Sequence, residues 1–188
     1  MTPRPRLPHL RDEDGLGLIE LLIAMMILIV AILALVAAYS SGYVALRRAT
    51  TVSSATLLAD SQMERFRALR FDNISLNTTC GASCAQDSTY TSDAAYSSTA
   101  QITGCGTTDH ACLPTQTLAG PDGRSYRIDT FVNCETLSGG VFGLASAGAC
   151  APGGSSSVIK LVTVVVRKST GTGDWVREQS AFNKLTGQ

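Results

Sequence analysis

The feature that most constrains this chain is an apolar run from residue 16 to residue 38 that carries a single charge, Glu20. An apolar helix crosses a bilayer with about 20 residues, whereas the hydrophobic part of a secretory signal is only about 7–15 residues long. The run therefore predicts a membrane-spanning helix. A lone carboxylate at the centre of such a helix costs roughly 2.5–3.5 kcal/mol, and less near an end, so we expect a cation to compensate Glu20.

The residues that begin this run carry a resemblance to a known family. Gly15 precedes Leu16, and Glu20 is the fifth residue counted from Leu16. This pattern resembles the class III signal of type IV pilins and of the pseudopilins of type II secretion. The resemblance implies cleavage after Gly15, N-methylation of Leu16, and pairing of Glu20 with the N-terminal amine of a neighbouring subunit. Leu16 stands where the family usually has Phe, and Gly17 stands where it usually has Thr or Ser.

Two other interpretations of the run stay open. In an ordinary signal anchor, Glu20 would snorkel to the membrane interface and would need no partner subunit. The chain would then be an unprocessed, signal-anchored cell-surface binding protein with a disulfide-rich loop, and residues 1–15 would be retained. A membrane-anchored enzyme is the third class, for which the sequence shows no site.

Residues 1–15 are predicted to be a cleaved cytoplasmic leader. They are polar and contain three prolines, which disfavour a regular helix. Basic residues lie on both sides of the apolar run, so the positive-inside rule does not decide the orientation. The resemblance and the cysteine positions indicate a single-pass protein with a cytoplasmic N-terminus and an extracytoplasmic head, which later joins a cell-surface or periplasmic filament.

The cysteines indicate an oxidising compartment, because all six lie after residue 79 and their number is even. A zinc site usually shows two close pairs of ligands, and only one pair here is close, so disulfides are expected rather than a metal. Sequence alone does not choose among the possible pairings. The preferred pairs are local: Cys80 with Cys84, Cys105 with Cys112, and Cys134 with Cys150.

Beyond residue 38 the helical pattern continues, and residues 39–71 are predicted to form an amphipathic continuation that stops near residues 71–73. Apolar side chains recur at spacings of three, four or seven, which marks one helix face. These residues are Ala45, Ala49, Val52, Ala59, Met63, Phe66 and Leu69. Residues 57–70 are also similar to the helix end of minor pilins of the PilV type and of I-type pseudopilins.

Residues 72–124 are rich in Ser, Thr, Gly and Ala, contain four cysteines, and have no Lys or Arg before Arg124. They are interpreted as a loop stapled by disulfides, in which only residues 100–103 suggest a short strand. In type IV pilins a variable surface loop follows the helix at this position.

Residues 125–188 are predicted to form a small antiparallel sheet of three or four strands. Residues 125–132 alternate in polarity, residues 158–167 are apolar on both faces and so predict a central strand, and residues 175–182 predict its partner. Residues 135–157 are predicted to be a loop.

The composition and motifs offer little support for catalysis or nucleic-acid binding. The chain has 15 basic and 15 acidic residues, which gives no argument for a general nucleic-acid surface. Its two histidines, His9 and His110, have no obvious catalytic partner, and no phosphate-loop, dinucleotide or nucleophile-elbow motif is present. The sequence predicts a non-enzyme without cofactor or metal.

These patterns and the resemblance together predict an α+β chain with the type IV pilin fold. A long N-terminal helix, transmembrane over residues 16–38, would pack its second half on the sheet beside a disulfide-containing loop. The implied function is a structural subunit, a minor pilin or pseudopilin, of a type IV pilus or type II secretion-like filament. The implied partners are a prepilin peptidase/methyltransferase, other pilins or pseudopilins, an inner-membrane assembly platform and membrane lipid, without nucleic acid.

Overall fold

The computed structural model describes residues 17–151, 157–170 and 173–184. The chain divides into two compact units, Met1–Leu46 and Arg47–Gln188. One helix, α1 (Leu18–Arg67), contributes residues to both units. The second unit adds an antiparallel sheet and three disulfides, so the chain is α+β.

The part of α1 that lies in the first unit, residues 18–46, is helical because these residues are mostly Leu, Ile, Met and Ala, and Ala, Leu and Met are good helix formers. The hydroxyls of Ser40 and Ser41 donate to Ala37 O and Ala38 O, each at 2.9 Å, so these polar groups are satisfied within the helix. The helix also continues through Gly42.

The sheet of the second unit has five antiparallel strands in the order β1-β2-β4-β5, with β3 also paired to β2. Their bounds are β1 Thr115–Ala119, β2 Ser125–Ser138, β3 Val141–Leu144, β4 Val158–Lys168 and β5 Asp174–Asn183. The central position predicted for β4 is confirmed, and residues 162–167 of that strand are all buried.

The strand count was predicted too low, because two short strands depend on β2 for their hydrogen bonds. β1 lies inside the segment that was predicted to be a loop and pairs Thr115 with Asp129. β3 and the end of β2 lie inside residues 135–157, also predicted to be a loop, and pair Leu137 with Phe142. Gly139 and Gly140 turn this hairpin with positive φ angles of 60° and 85°, which glycine adopts at low cost.

Residues 47–67 of α1 pack on one face of the sheet. The buried residues are Thr51, Ser54, Ala55, Ala59, Gln62, Met63 and Phe66. Burial of Ala59, Met63 and Phe66 confirms part of the predicted stripe, whereas Ala45, Ala49 and Val52 are exposed and that part was wrong. In the first turns that pack on the sheet, the buried side chains are instead those of Thr51, Ser54 and Ala55. α1 ends at Arg67, a few residues earlier than predicted.

The second face of the sheet is covered by residues 87–101, which include the short helix α2 (Ser88–Thr91). Tyr90 stacks on Phe131 of β2 with 4.3 Å between ring centroids, and its hydroxyl donates to Thr130 O at 2.7 Å. Gln101 forms a bridge with Asn133, which adds the end of this segment to the edge of β2. β2 and β4 are therefore covered on both faces.

Candidate functional site

The residues predicted to direct processing and assembly lie at the start of the chain. Gly15 and Leu16 lie outside the described residues. Glu20 lies in the first turn of α1, where it is exposed and its backbone N–H donates to Gly17 O at 2.9 Å. A carboxylate in the first turn of a helix interacts favourably with the helix dipole.

Glu20 has no cation within its own stretch of helix. The sequence contains no Lys, Arg or His between Glu20 and Arg47. The apolar segment that follows Glu20 therefore offers no cation for this carboxylate.

The helical segment that contains Glu20 is apolar on all sides and uncovered. Every residue from Gly17 to Leu46 is exposed, with exposed fractions of 80% for Leu18 and 67% for Leu46. Its most apolar stretch of 18 residues has a mean hydropathy of 3.2, and none of that stretch is buried. By length and composition the helix can cross a membrane, which is compatible with a membrane anchor or a signal sequence. An apolar surface of this extent needs an apolar environment or partner.

The six cysteines form the three local disulfides that the sequence analysis preferred. Cys80 bonds to Cys84, Cys105 to Cys112 and Cys134 to Cys150, with Cα–Cα distances of 5.3, 6.0 and 5.7 Å. The third disulfide lies in the main core and joins β2 to the turn before β4.

A pair of buried glutamines ties the second disulfide loop to α1. Gln62 of α1 donates to His110 O at 2.8 Å, and Gln116 of β1 donates to Gln62 Oε1 at 3.1 Å. The His110 ring nitrogen Nδ1 also contacts Gln116 Oε1 at 2.5 Å. The sequence analysis missed this contact, because Gln62 and Gln116 are 54 residues apart and belong to elements with no shared motif.

Charged side chains fasten residues 87–101 to the sheet. Arg127 forms ion pairs with Asp87 and with the buried Asp129. Arg167 forms an ion pair with Asp93, and its Nε lies 3.1 Å from Asp129 Oδ2. Arg177 of β5 also binds Asp93, at 2.7 Å. The hydrogen bond from Arg127 lowers the pKa of Asp87 to about 2, whereas burial raises the pKa of Asp129. The pairs with Asp87 and Asp93 cross-link the loop to the strands, whereas those with Asp129 lie within the sheet.

Lys160 is a buried cation on the helix-facing side of the sheet, 1% exposed. Its Nζ donates to Phe71 O at 2.7 Å and to Ile74 O at 2.9 Å, and lies 4.7 Å from the centroid of the Phe71 ring. Burial lowers its pKa to about 8. A depressed lysine pKa can mark a nucleophile. This amine, however, is buried and hydrogen-bonded to two backbone carbonyls, so its role is to anchor the turn after α1.

The described residues thus present an exposed apolar helical segment with one carboxylate. The second unit, here called the head, is cross-linked by disulfides and ion pairs. Compared with protein-family models, with curated proteins and with solved structures, the chain shows no match.

Proposed function

We propose that this chain is a structural subunit, a minor pilin or pseudopilin, of a type IV pilus or type II secretion-like filament. In this proposal a prepilin peptidase/methyltransferase cleaves after Gly15 and methylates Leu16. The observation that carries the proposal is the lone Glu20 in the first turn of an uncovered apolar helical segment, preceded at the required spacing by Gly15.

The uncovered segment suits a subunit that changes its surroundings during assembly. Apolar side chains on every side of a helix are stable in lipid before assembly. The same surface is stable among apolar helices of other pilins or pseudopilins once the subunit leaves the membrane. Both end states cover the same apolar area, so burial of this surface alone does not favour the transfer. An inner-membrane assembly platform would therefore drive it.

Glu20 supports the proposal because it needs a cation that the apolar segment after it, up to Leu46, does not offer. Cleavage after Gly15 would create a new amine at Leu16, four residues before Glu20 in the sequence. The amine of an adjacent subunit would then pair with the Glu20 carboxylate, and an ion pair costs less than an isolated charge in an apolar surrounding. The pairing would also favour one axial register between subunits.

The head suits exposure outside the cytoplasm. Its three disulfides are of the kind that persist in oxidising compartments. Both faces of the central strands are covered, so the head can remain folded while the apolar segment passes from membrane to filament.

The test is the intact mass and N-terminal sequence of the chain extracted from membranes of cells that have a prepilin peptidase. We expect loss of residues 1–15 and the added mass of one methyl group. Gly15→Val should block cleavage. Gly17→Ala is the matched control and should leave it intact, because a Cβ at Gly17 meets only Ile19 Cγ2, at the ordinary contact distance of 3.9 Å.

Retention of residues 1–15 in such cells would overturn the pilin assignment. The alternative function, a signal-anchored binding protein, would then be favoured. Its ligand would most simply use the pocket of about 360 Å³ beside the Cys105–Cys112 disulfide, which is lined by Asp72 and Asp109 among others.

A further inference from the structure

A pocket of about 350 Å³ opens in the head between α1 and one end of the sheet. This volume lies near the lower limit of small-molecule sites, which run from about 300 to 1,000 Å³. Its lining, here called the basic pocket, combines two cations, two hydroxyls and two aromatic rings: Arg124, Lys168, Thr51, Ser125, Tyr126 and Trp175.

Arg124 is held in place at the wall of the basic pocket. Its Nη1 donates to Thr51 Oγ1 at 2.6 Å, and that hydroxyl in turn donates to Arg47 O at 2.9 Å. Its Nε lies 3.8 Å from Asp122 Oδ2, the carboxylate oxygen that accepts a hydrogen bond from the Tyr126 hydroxyl at 2.8 Å. Asp122 therefore balances Arg124 in part, while about half of the arginine side chain remains exposed to a ligand.

Lys168 supplies a second positive charge that is not balanced. It lies at the end of β4, opposite Tyr126 in the β2–β4 register, so both residues are on the face that α1 covers. Lys168 is exposed, and within the described ranges no carboxylate or hydrogen-bond acceptor contacts its ammonium group. The basic pocket thus has two cations against one carboxylate and favours an anion.

The shape and chemistry of the lining match a phosphate ester that carries a small organic group. Arginine and lysine bind phosphate oxygens through charge-assisted hydrogen bonds. Thr51 and Ser125 add polar groups, and the half-buried Trp175 adds an apolar wall for carbon atoms next to the phosphate. A long polyanion would need a wider basic surface, and the chain as a whole has no net charge.

The position of the basic pocket along the chain points to the membrane as the source of this ligand. Thr51 follows Leu46, the last residue of the uncovered apolar unit, by five residues, and Arg47 and Arg48 lie between them. Only four residues of chain therefore separate Thr51, which lines the pocket, from Leu46. Basic residues next to a membrane-spanning segment are attracted to anionic headgroups.

We propose that the basic pocket binds the phosphate-bearing headgroup of an anionic phospholipid while the chain resides in the membrane. This inference rests on the membrane-embedded stage of the proposed function. Headgroup binding would hold the head against the membrane surface before assembly, and the subunit would release the lipid when it enters a filament.

The test uses the full chain in an uncharged detergent, with Trp175 as the reporter, since it is the only tryptophan of the chain and lines the pocket. Short-chain phosphatidylglycerol should change its fluorescence in a saturable manner, and short-chain phosphatidylcholine should not. Lys168→Gln should weaken phosphatidylglycerol binding about fivefold, the contribution expected of one basic residue near an anionic surface. Lys184→Gln makes the same charge change at the other end of the β4–β5 pair and should leave binding unchanged.

Soluble phosphates identify the source of the ligand. Inorganic phosphate and glycerol 3-phosphate should bind far more weakly than phosphatidylglycerol. Equal binding of glycerol 3-phosphate would overturn the lipid assignment in favour of a soluble phosphate ester, and absence of any saturable change would overturn the site itself. The titration does not depend on processing, so its failure with a correctly cleaved chain leaves the pilin proposal standing.

Discussion

Asp87 and Arg127 form a two-point ion pair across forty residues of sequence, with Arg127 Nη1 2.6 Å from Oδ2 and Nη2 2.7 Å from Oδ1. The same Asp87 carboxylate caps α2 by accepting the Tyr90 backbone N–H at 2.9 Å. The Nε of Arg127 meanwhile donates to the buried Asp129 at 2.8 Å. One surface carboxylate therefore starts the helix that covers the second sheet face and fastens it to β2.

Asp87→Asn should lower the free energy of unfolding by about 1 kcal/mol, because asparagine caps a helix as well as aspartate but lacks the charge that pairs with Arg127. Chemical unfolding of the full chain in uncharged detergent measures this change. Glu64→Gln is the matched control, since its partner Arg67 lies three residues away on the same exposed helix surface. The control should cost less than about 0.5 kcal/mol. Equal losses in both variants would contradict an anchoring role for Asp87.

The Asp87 contact also predicts an acid dependence. The Arg127 hydrogen bond lowers the pKa of Asp87 from 3.8 to about 2, so the folded chain holds fewer protons than the unfolded chain between these values. Stability from this pair is present above pH 3.8 and is lost as the pH falls through about 2. The stability difference between the original chain and Asp87→Asn should therefore shrink across that window.

Lys160 predicts a second rise of stability with pH, in the alkaline range. Burial lowers its pKa from 10.5 to about 8, so between these values the unfolded chain binds more protons and stability rises with pH. Lys160→Met removes the titrating group while it keeps an apolar stem of similar length. From about pH 7 to about pH 9.5, the original chain should gain about 2 kcal/mol relative to this variant.

The control for Lys160 lies on the same strand. Lys168→Met removes an exposed lysine and so separates the loss of the buried Lys160 from the loss of any one lysine of this strand. All six cysteines are in disulfides, so thiol ionisation does not contribute in this range. Parallel slopes for the original chain and Lys160→Met would show that burial does not lower the pKa of Lys160.

The loss in the free energy of unfolding when a disulfide is removed should increase with the length of chain that the bond closes. Cys134–Cys150 spans a separation of 16 residues, and both of its cysteines are buried, whereas Cys80–Cys84 spans 4. Replacing both cysteines by alanine should cost about 3 kcal/mol for the longer loop and about 2 kcal/mol for the shorter one. Unfolding of the two double variants under identical non-reducing conditions provides the comparison. A larger loss at Cys80–Cys84 would contradict this order.

Local patterns in the sequence predicted those elements whose burial is itself regular. The continuous apolar stretch of β4 indicated a central strand, and the spacing of Ala59, Met63 and Phe66 indicated the buried helix face. Thr51 escaped prediction because a buried polar residue looks like a surface residue unless its partners are known. Its hydroxyl bonds to Arg47 O and accepts from Arg124, which is 73 residues away.

The strands and pockets that the sequence did not predict depend on contacts between residues that are far apart in the chain. β1 has no β-branched apolar residue, and it is a strand because it pairs with β2 from Thr115–Asp129 to Ala119–Ser125. The Thr115 hydroxyl also donates to Asp129 Oδ1 at 2.9 Å. The basic pocket likewise joins residues from α1, β2, β4 and β5. By contrast, the proposed cleavage and assembly residues form one contiguous pattern, so sequence could suggest them.

Glu20→Gln separates membrane insertion from assembly under the proposed function. Glutamine is similar in size but cannot pair with an amine as an anion, and a neutral side chain is less costly in an apolar surrounding. We therefore expect normal amounts of cleaved chain in the membrane fraction but loss from the sheared filament fraction, measured as the ratio of the two. Glu64→Gln, an exposed helix position in the head, should leave this ratio unchanged. If the Glu20→Gln chain enters filaments as efficiently as the original chain does, the carboxylate does not pair subunits. The register must then be set by apolar contacts alone.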